Sequence, residues 1–226
     1  MKKIVIISLI TLSFFGCEIE KIDNTEISLG KDYLPIEKGR SSVYHIKRIN
    51  FLTTGVDTIH SFRKELIDSS FIEGGEEKFF VKVFSKKAKE DSWVLDSLWS
   101  IYGNNQEVVI NRNNTLIKLL SFPLEKERTW DINVFNVRPV DNITLKTFTN
   151  ELNIDSCTYN DIVLLQFPLI DNFIDKNDRR WYYGRNEGLV YKYEEVTRQQ
   201  PGEVKEGYIL EEKLIADDKK NKLDFN

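Results

Sequence analysis

Between residues 42 and 215 the chain is a succession of short runs in which β-branched and aromatic residues alternate with polar ones, each closed by a cluster of turn formers. SVYHIKRINF, EKFFVKVF, SWVLDSLWSIY, QEVVI, TLIKLLSF, TWDINVFNV, DNITLKTF, IVLLQF, RRWYY, GLVYKYEEV and GYILEEKLI are such runs; EGGEE, YGNN, NRNNT, DKND and QQPGE are turn signals. A two-residue period puts every second side chain on one face, which suits a half-buried strand. Past the first sixteen residues no apolar pattern keeps helical spacing for more than about ten positions, although Leu164–Phe173 also admits a short helix. About ten or eleven strands, five per half of the chain, predict a mainly β fold: an antiparallel sheet curled into a barrel, half-barrel or sandwich.

The runs also repeat. LPIEKGRSS at 34–42 returns as FPLEKERTW at 122–130, and ELIDS at 65–69 as ELNIDS at 151–156. FFVKVF at 79–84 faces DIVLLQF at 161–167, and YGNNQEVVI at 102–110 faces YGRNEGLVY at 183–191. The preserved order predicts a single β-domain over 32–215, built from related halves at 32–118 and 119–215. A feature present in both halves belongs to scaffold, because a catalytic site needs its residues only once. PIEK, ELID and YGxN therefore read as turns and strand starts, and Cys157, aligned with Ser70, as a small buried side chain.

The chain opens MKKIVIISLITLSFFGCEIEK: two lysines, an apolar stretch from Ile4 to Phe15, then Gly16 and Cys17. As a helix, about a dozen residues span roughly 18 Å, well short of the ~30 Å hydrocarbon core, so the stretch reads as an export signal. With Phe14, Gly16 and Cys17 at the −3, −1 and cysteine positions, it resembles the type II signal peptide of bacterial lipoproteins. The resemblance implies cleavage after residue 16, a diacylglyceryl group on the Cys17 thiol and an acylated new amino terminus. Each buried methylene adds about 0.8 kcal/mol of membrane affinity, so two or three chains anchor stably where one does not. Residues 17–31 then form the lipidated cysteine and a flexible tether with a root-mean-square reach of about 20 Å, and 216–226 a disordered charged tail.

Removing residues 1–16 leaves 210 residues with 30 basic and 36 acidic side chains. That length supports a real core, and the lack of a basic stripe argues against nucleic acid as a partner. With Cys17 modified, Cys157 has no intramolecular disulfide partner. His45 and His60, the only histidines, lack metal-ligand spacing and read as outward polar residues, so no metal and no cofactor is predicted. No GxSxG elbow is present and Cys157 has no neighbouring histidine, so no catalytic residue is assigned. DNFIDKND brings Asp171, Asp175, Asn177 and Asp178 together but departs from the calcium-loop spacing, and reads as a solvated acidic loop. Trp93, Trp99, Trp130 and Trp181 are candidate ligand-facing aromatics, with the hydrophobic core as their other natural place. Even spacing predicts one face for Trp93 and Trp99.

LPIEKGRSSVYHI, FPLEKERTWDINVFN and WYYGRNEGLVYKYEE, in that order, are similar to motifs of a group of uncharacterised β-rich envelope lipoproteins of Gram-negative bacteria. That resemblance implies an address and a fold, and no activity. The expectation is a cell-envelope protein, lipid-anchored to the membrane through Cys17, most simply at the outer membrane, with a non-catalytic binding or scaffolding domain. Its partner is an envelope protein or a hydrophobic small molecule. A carrier of a lipid or acyl chain is the alternative, and an envelope hydrolase the second alternative. The carrier needs a deep apolar cavity; the hydrolase needs a histidine meeting a serine and a carboxylate.

Overall fold

A computed structural model describes residues 29–155 and 157–217. The signal segment, Cys17, most of the tether and residues 218–226 lie outside the described residues. After one 3-10 turn, Lys31–Tyr33, the strands are β1 (Ser41–Leu52), β2 (Gly55–Glu73), β3 (Glu76–Lys86), β4 (Val94–Gly103), β5 (Glu107–Arg112), β6 (Thr115–Ser121), β7 (Thr129–Asp131), β8 (Asn142–Ile154), β9 (Cys157–Gln166), β10 (Ile170–Asp171), β11 (Asp175–Gly184), β12 (Gly188–Arg198) and β13 (Glu206–Asp217). They form one antiparallel sheet in the order β6-β5-β4-β3-β2-β1-β13-β12-β11-β9-β8-β7, with β10 attached to β11. The predicted mainly β architecture is thus met by a sheet nearly closed into a barrel. At the seam, the Lys118 amide of β6 donates to the Ile132 carbonyl just after β7.

Local chemistry explains the hairpins and the curl. β2 turns into β3 through Gly74 and Gly75, both at positive φ, and β5 turns into β6 through Asn113 and Asn114 at φ 51 and 60. Two successive left-handed residues match the twist of paired strands, and asparagine is the side chain that tolerates them best after glycine. Register shifts at Ile67/Ser69, Val83/Phe84, Leu145/Thr147 and Tyr182/Tyr183 bend long strands that would otherwise run flat.

Four local expectations are corrected. Residues 55–73, with ELID in their middle, form the longest strand, because the polar phase of 57–65 faces solvent or a charged interior and masks the pattern. DKND is the start of β11 rather than a turn, so the acidic loop is largely a strand. Leu164–Phe173 contains no helix. TWDINVFNV yields only the three residues of β7, because asparagine and aspartate side chains take over the backbone partners of the rest.

Not all of the repeated segments take matching places: FFVKVF lies in β3 and DIVLLQF at the end of β9, and the YG turns join β4 to β5 and β11 to β12, but ELID lies in the middle of β2 whereas ELNID ends β8 and enters the turn before β9. The main core joins both meanders, from Val81, Ile101 and Leu120 to Ile143, Leu165 and Trp181. Leu29, Tyr33, Leu34 and Ile36 pack against it and cover the mouth of the barrel from which both ends of the described chain leave. There Arg185 bonds Asp32, and Arg40 donates to the carbonyls of Asn186 and Glu187 at 2.9 and 2.8 Å.

Candidate functional site

The strand ladder carries rows of side chains around the inner wall. Ile46 of β1 faces Glu212 of β13, Glu212 faces Lys192 of β12, Lys192 faces Trp181 of β11, and Trp181 faces Leu165 of β9. The adjoining row sets Arg63 opposite Tyr44. Polar residues therefore stand in the apolar phase of several strands, and they are paired.

Arg63 grips Glu212 with two parallel bonds of 3.2 and 3.0 Å and lies 2.8 Å from Glu65. Lys192 reaches Glu194 at 3.0 Å, and the Trp181 indole donates to the same carboxylate at 3.2 Å. Burial by itself would raise the pKa of Glu212, but the charges of Arg63 and Lys192 and the bonds from Arg63 outweigh it, holding the group at about 2. Burial would likewise pull Arg63 down, and Glu212 and Glu65 reverse that. Burial pushes the phenols of Tyr44 and Tyr183 far up, so both stay neutral. Arg112 lies 4.2 Å over the Trp99 ring, and its charge adds to those that hold Glu212 ionised.

A cavity at the inner wall, lined by Arg40, Tyr44, Glu65, Ile67, Glu187 and Leu189 among others, measures about 60 Å³, and a wider one of about 340 Å³ opens at the terminal mouth between Pro35, Ile36, Gly103, Val108 and Phe122. The smaller is the one set among the buried charges. That volume admits a few waters. A shallower depression of about 420 Å³ lies by β10, between Ile170, Asn177, Val196 and Arg198.

The mouth opposite both ends of the described residues is different in character. There the β1–β2, β3–β4, β7–β8 and β12–β13 connections and the β10 hairpin gather, and many of the large exposed apolar side chains lie on them, while Ile72, Leu98 and Phe148 are exposed elsewhere. Val56, Val94, Val134, Val137, Val140, Leu169, Phe173 and Val204 are all exposed, Phe173 at 87%. Two of these loops are rigid by construction. In 131–141, Asp131 Oδ1 accepts from the Asn133 and Asp141 amides, Asn133 Nδ2 donates to the Pro139 carbonyl, and Asn136 Nδ2 to the Leu116 carbonyl. Asp141 is itself clamped by Arg179 with two bonds of 2.8 Å. In the β10 hairpin, Asn172 Oδ1 accepts from the Ile174 and Asp175 amides.

Of the four tryptophans, Trp99 and Trp181 stand on the inner wall among the charges, and Trp130 is core, its indole N–H without an acceptor among the described residues. Trp93 lies outside, under Lys86, because the register shift between Val83 and Phe84 reverses the phase expected from even spacing. Cys157 is exposed rather than buried, since it opens β9 right after the β8–β9 turn. His45 and His60 bond each other at 3.1 Å, and among the described residues neither bonds a serine or a carboxylate. No group of three or more metal-ligating side chains occurs among the described residues. The inner charges could have been found in the sequence: Glu212 sits in phase with Leu210 and Leu214, and Arg63 and Glu65 in phase with Ile67. A charge in the buried phase of a strand is the signal.

No protein-family model matches the sequence, and no curated protein does. Among solved structures, a protein described as exported, with a YmcC-like fold, from Bacteroides fragilis is similar over 81% of this chain and 97% of its own, at 9% identity and a TM-score of 0.47. A protein described as a lipoprotein, from Parabacteroides distasonis, is similar over 82% of this chain and 97% of its own, at 11% identity and a TM-score of 0.43. At such values neither lends this chain a family or a function.

Proposed function

We propose that this chain is a lipid-anchored protein of the bacterial cell envelope, held at Cys17, most simply at the outer membrane, and that its barrel is a non-catalytic docking domain for an envelope partner. The apolar rim carries this reading: it is built on loops held by their own hydrogen bonds and lies at the mouth opposite both ends of the described residues. A tether joined at the terminal mouth leaves the rim clear of the point of attachment. Apolar side chains held in place beforehand lose little entropy on binding, and clustered exposed apolar surface marks interaction sites.

The carrier reading gains nothing from the inner-wall cavity of about 60 Å³, and the hydrolase reading nothing from histidines that bond each other. Palmitate labelling tests the anchor: wild type takes label and Cys17→Ala does not, and equal labelling sinks it. For the rim, a photocrosslinker at Phe173 captures an envelope partner in cells, while one at Ile72, also exposed but at the terminal mouth, captures none. Equal capture at both positions counts against a directed surface.

A further inference from the structure

His45 of β1 and His60 of β2 project from the outer wall, diagonal neighbours across the ladder: His45 stands opposite Phe62, and His60 opposite Lys47. Nε2 of His45 and Nδ1 of His60 are 3.1 Å apart, and the ring planes differ by 12° with centroids 5.3 Å apart. That combination places the rings edge to edge with the two nitrogens facing each other along the bond, and a tilt of each ring about its Cβ–Cγ bond would bring both lone pairs onto one ion beside it. The Phe62 ring, 5.2 Å from His45, supports the arrangement from the side.

At metal–nitrogen bonds of about 2.0–2.1 Å, two imidazoles on one ion hold their nitrogens about 2.9 Å apart at a square corner and about 3.4 Å apart at a tetrahedral one. The observed spacing lies between these. We propose that His45 and His60 form a two-histidine site for a late first-row divalent cation, Cu²⁺ foremost, with water completing the coordination. Imidazole suits these ions, and among them Cu²⁺ binds a given nitrogen site most tightly.

Entry of the ion asks little of the protein. The ring that donates the present bond shifts its proton to its outer nitrogen, so two neutral rings become two ligands with no proton released. Lys213, opposite His45 on β13, is the nearest competing charge, and it is already held by Asp155 at 3.1 Å and lies 3.7 Å from Glu211. Lys47, opposite His60, and Lys86, over Phe62, are the other cations on this face.

The test uses the full chain in detergent micelles with Cys17→Ala and Cys157→Ser, so that no thiol competes. Titration with Cu²⁺ at pH 7.4, read by electron paramagnetic resonance with pulsed detection of imidazole nitrogen, is expected to show one ion per chain coupled to two rings. His45→Gln and His60→Gln each weaken binding tenfold or more and reduce the coupling to one ring. Zn²⁺ added to the parent raises its melting temperature and leaves the double variant unchanged. Retention of the two-ring signal in the double variant, or a parent that binds no more Cu²⁺ than the double variant, overturns the site.

Discussion

Arg63, Glu65 and Glu212 form a charged knot inside a small barrel, and its value depends on every member being paired. A buried ion pair contributes little against an apolar substitute, but removing one partner strands the other, at a cost on the order of 3 kcal/mol. Glu212→Gln should lower unfolding stability by about that amount at pH 7, measurable by urea denaturation. The pH profile gives an independent check. With a folded pKa of about 2, against an ordinary 4.5, Glu212 contributes its full stabilisation above about pH 4.5 and loses it as pH falls toward 2. The variant should therefore show a flatter loss of stability over that window than wild type. Exposure of Cys157 gives a second expectation at this scale: a maleimide reagent reacts with its thiol in the native protein within minutes, without denaturant. Slow labelling that needed unfolding would return the residue to the buried place its alignment with Ser70 suggested.

At the scale of elements, the alternating runs located most strands, and failure came where side chains spoke against their surroundings. β2 was invisible because charges occupy its inward phase, and the end of TWDINVFNV because Asp131, Asn133 and Asn136 bond the local backbone. The rim could be read only in part: TWDINVFNV reads as a strand but its ladder ends at Asp131, and Leu164–Phe173 admits a helix but only Ile170 and Asp171 of its end pair, as β10. Asn133→Ala should speed amide hydrogen exchange across 132–141 while leaving β8 and β9 protected, since it frees the Pro139 carbonyl and the Asn136 contact. Gly207 is a constraint of another kind. At φ +113, a Cβ there would come within 2.1 Å of the Val196 carbonyl oxygen. Gly207→Ala should therefore cost more than the ~1 kcal/mol typical of a core-neutral change and lower the melting temperature, by displacing β12 from β13.

Across the whole molecule, β1 to β6 run in order, then β13 back to β7, so two meanders lie side by side. The descent of these meanders from one repeated unit is a proposal resting on the PIEK, ELID and YG matches, and it has an architectural consequence. Ser42 stands opposite Asp217 in the ladder, so a short linker can join β13 to β1 while the chain is opened between β6 and β7. Such a circular permutant should melt cooperatively near the parent temperature, by circular dichroism. A permutant that failed to fold would show that the two meanders are not independent units. The same β1–β13 pairing also sets a schedule. A chain that emerges amino end first presents β1 with one edge unpaired until nearly all of the remaining sequence has followed, and open edges recruit other chains. Time spent waiting for its last strand, rather than any weakness of the finished barrel, is then the moment at which this protein most needs an escort.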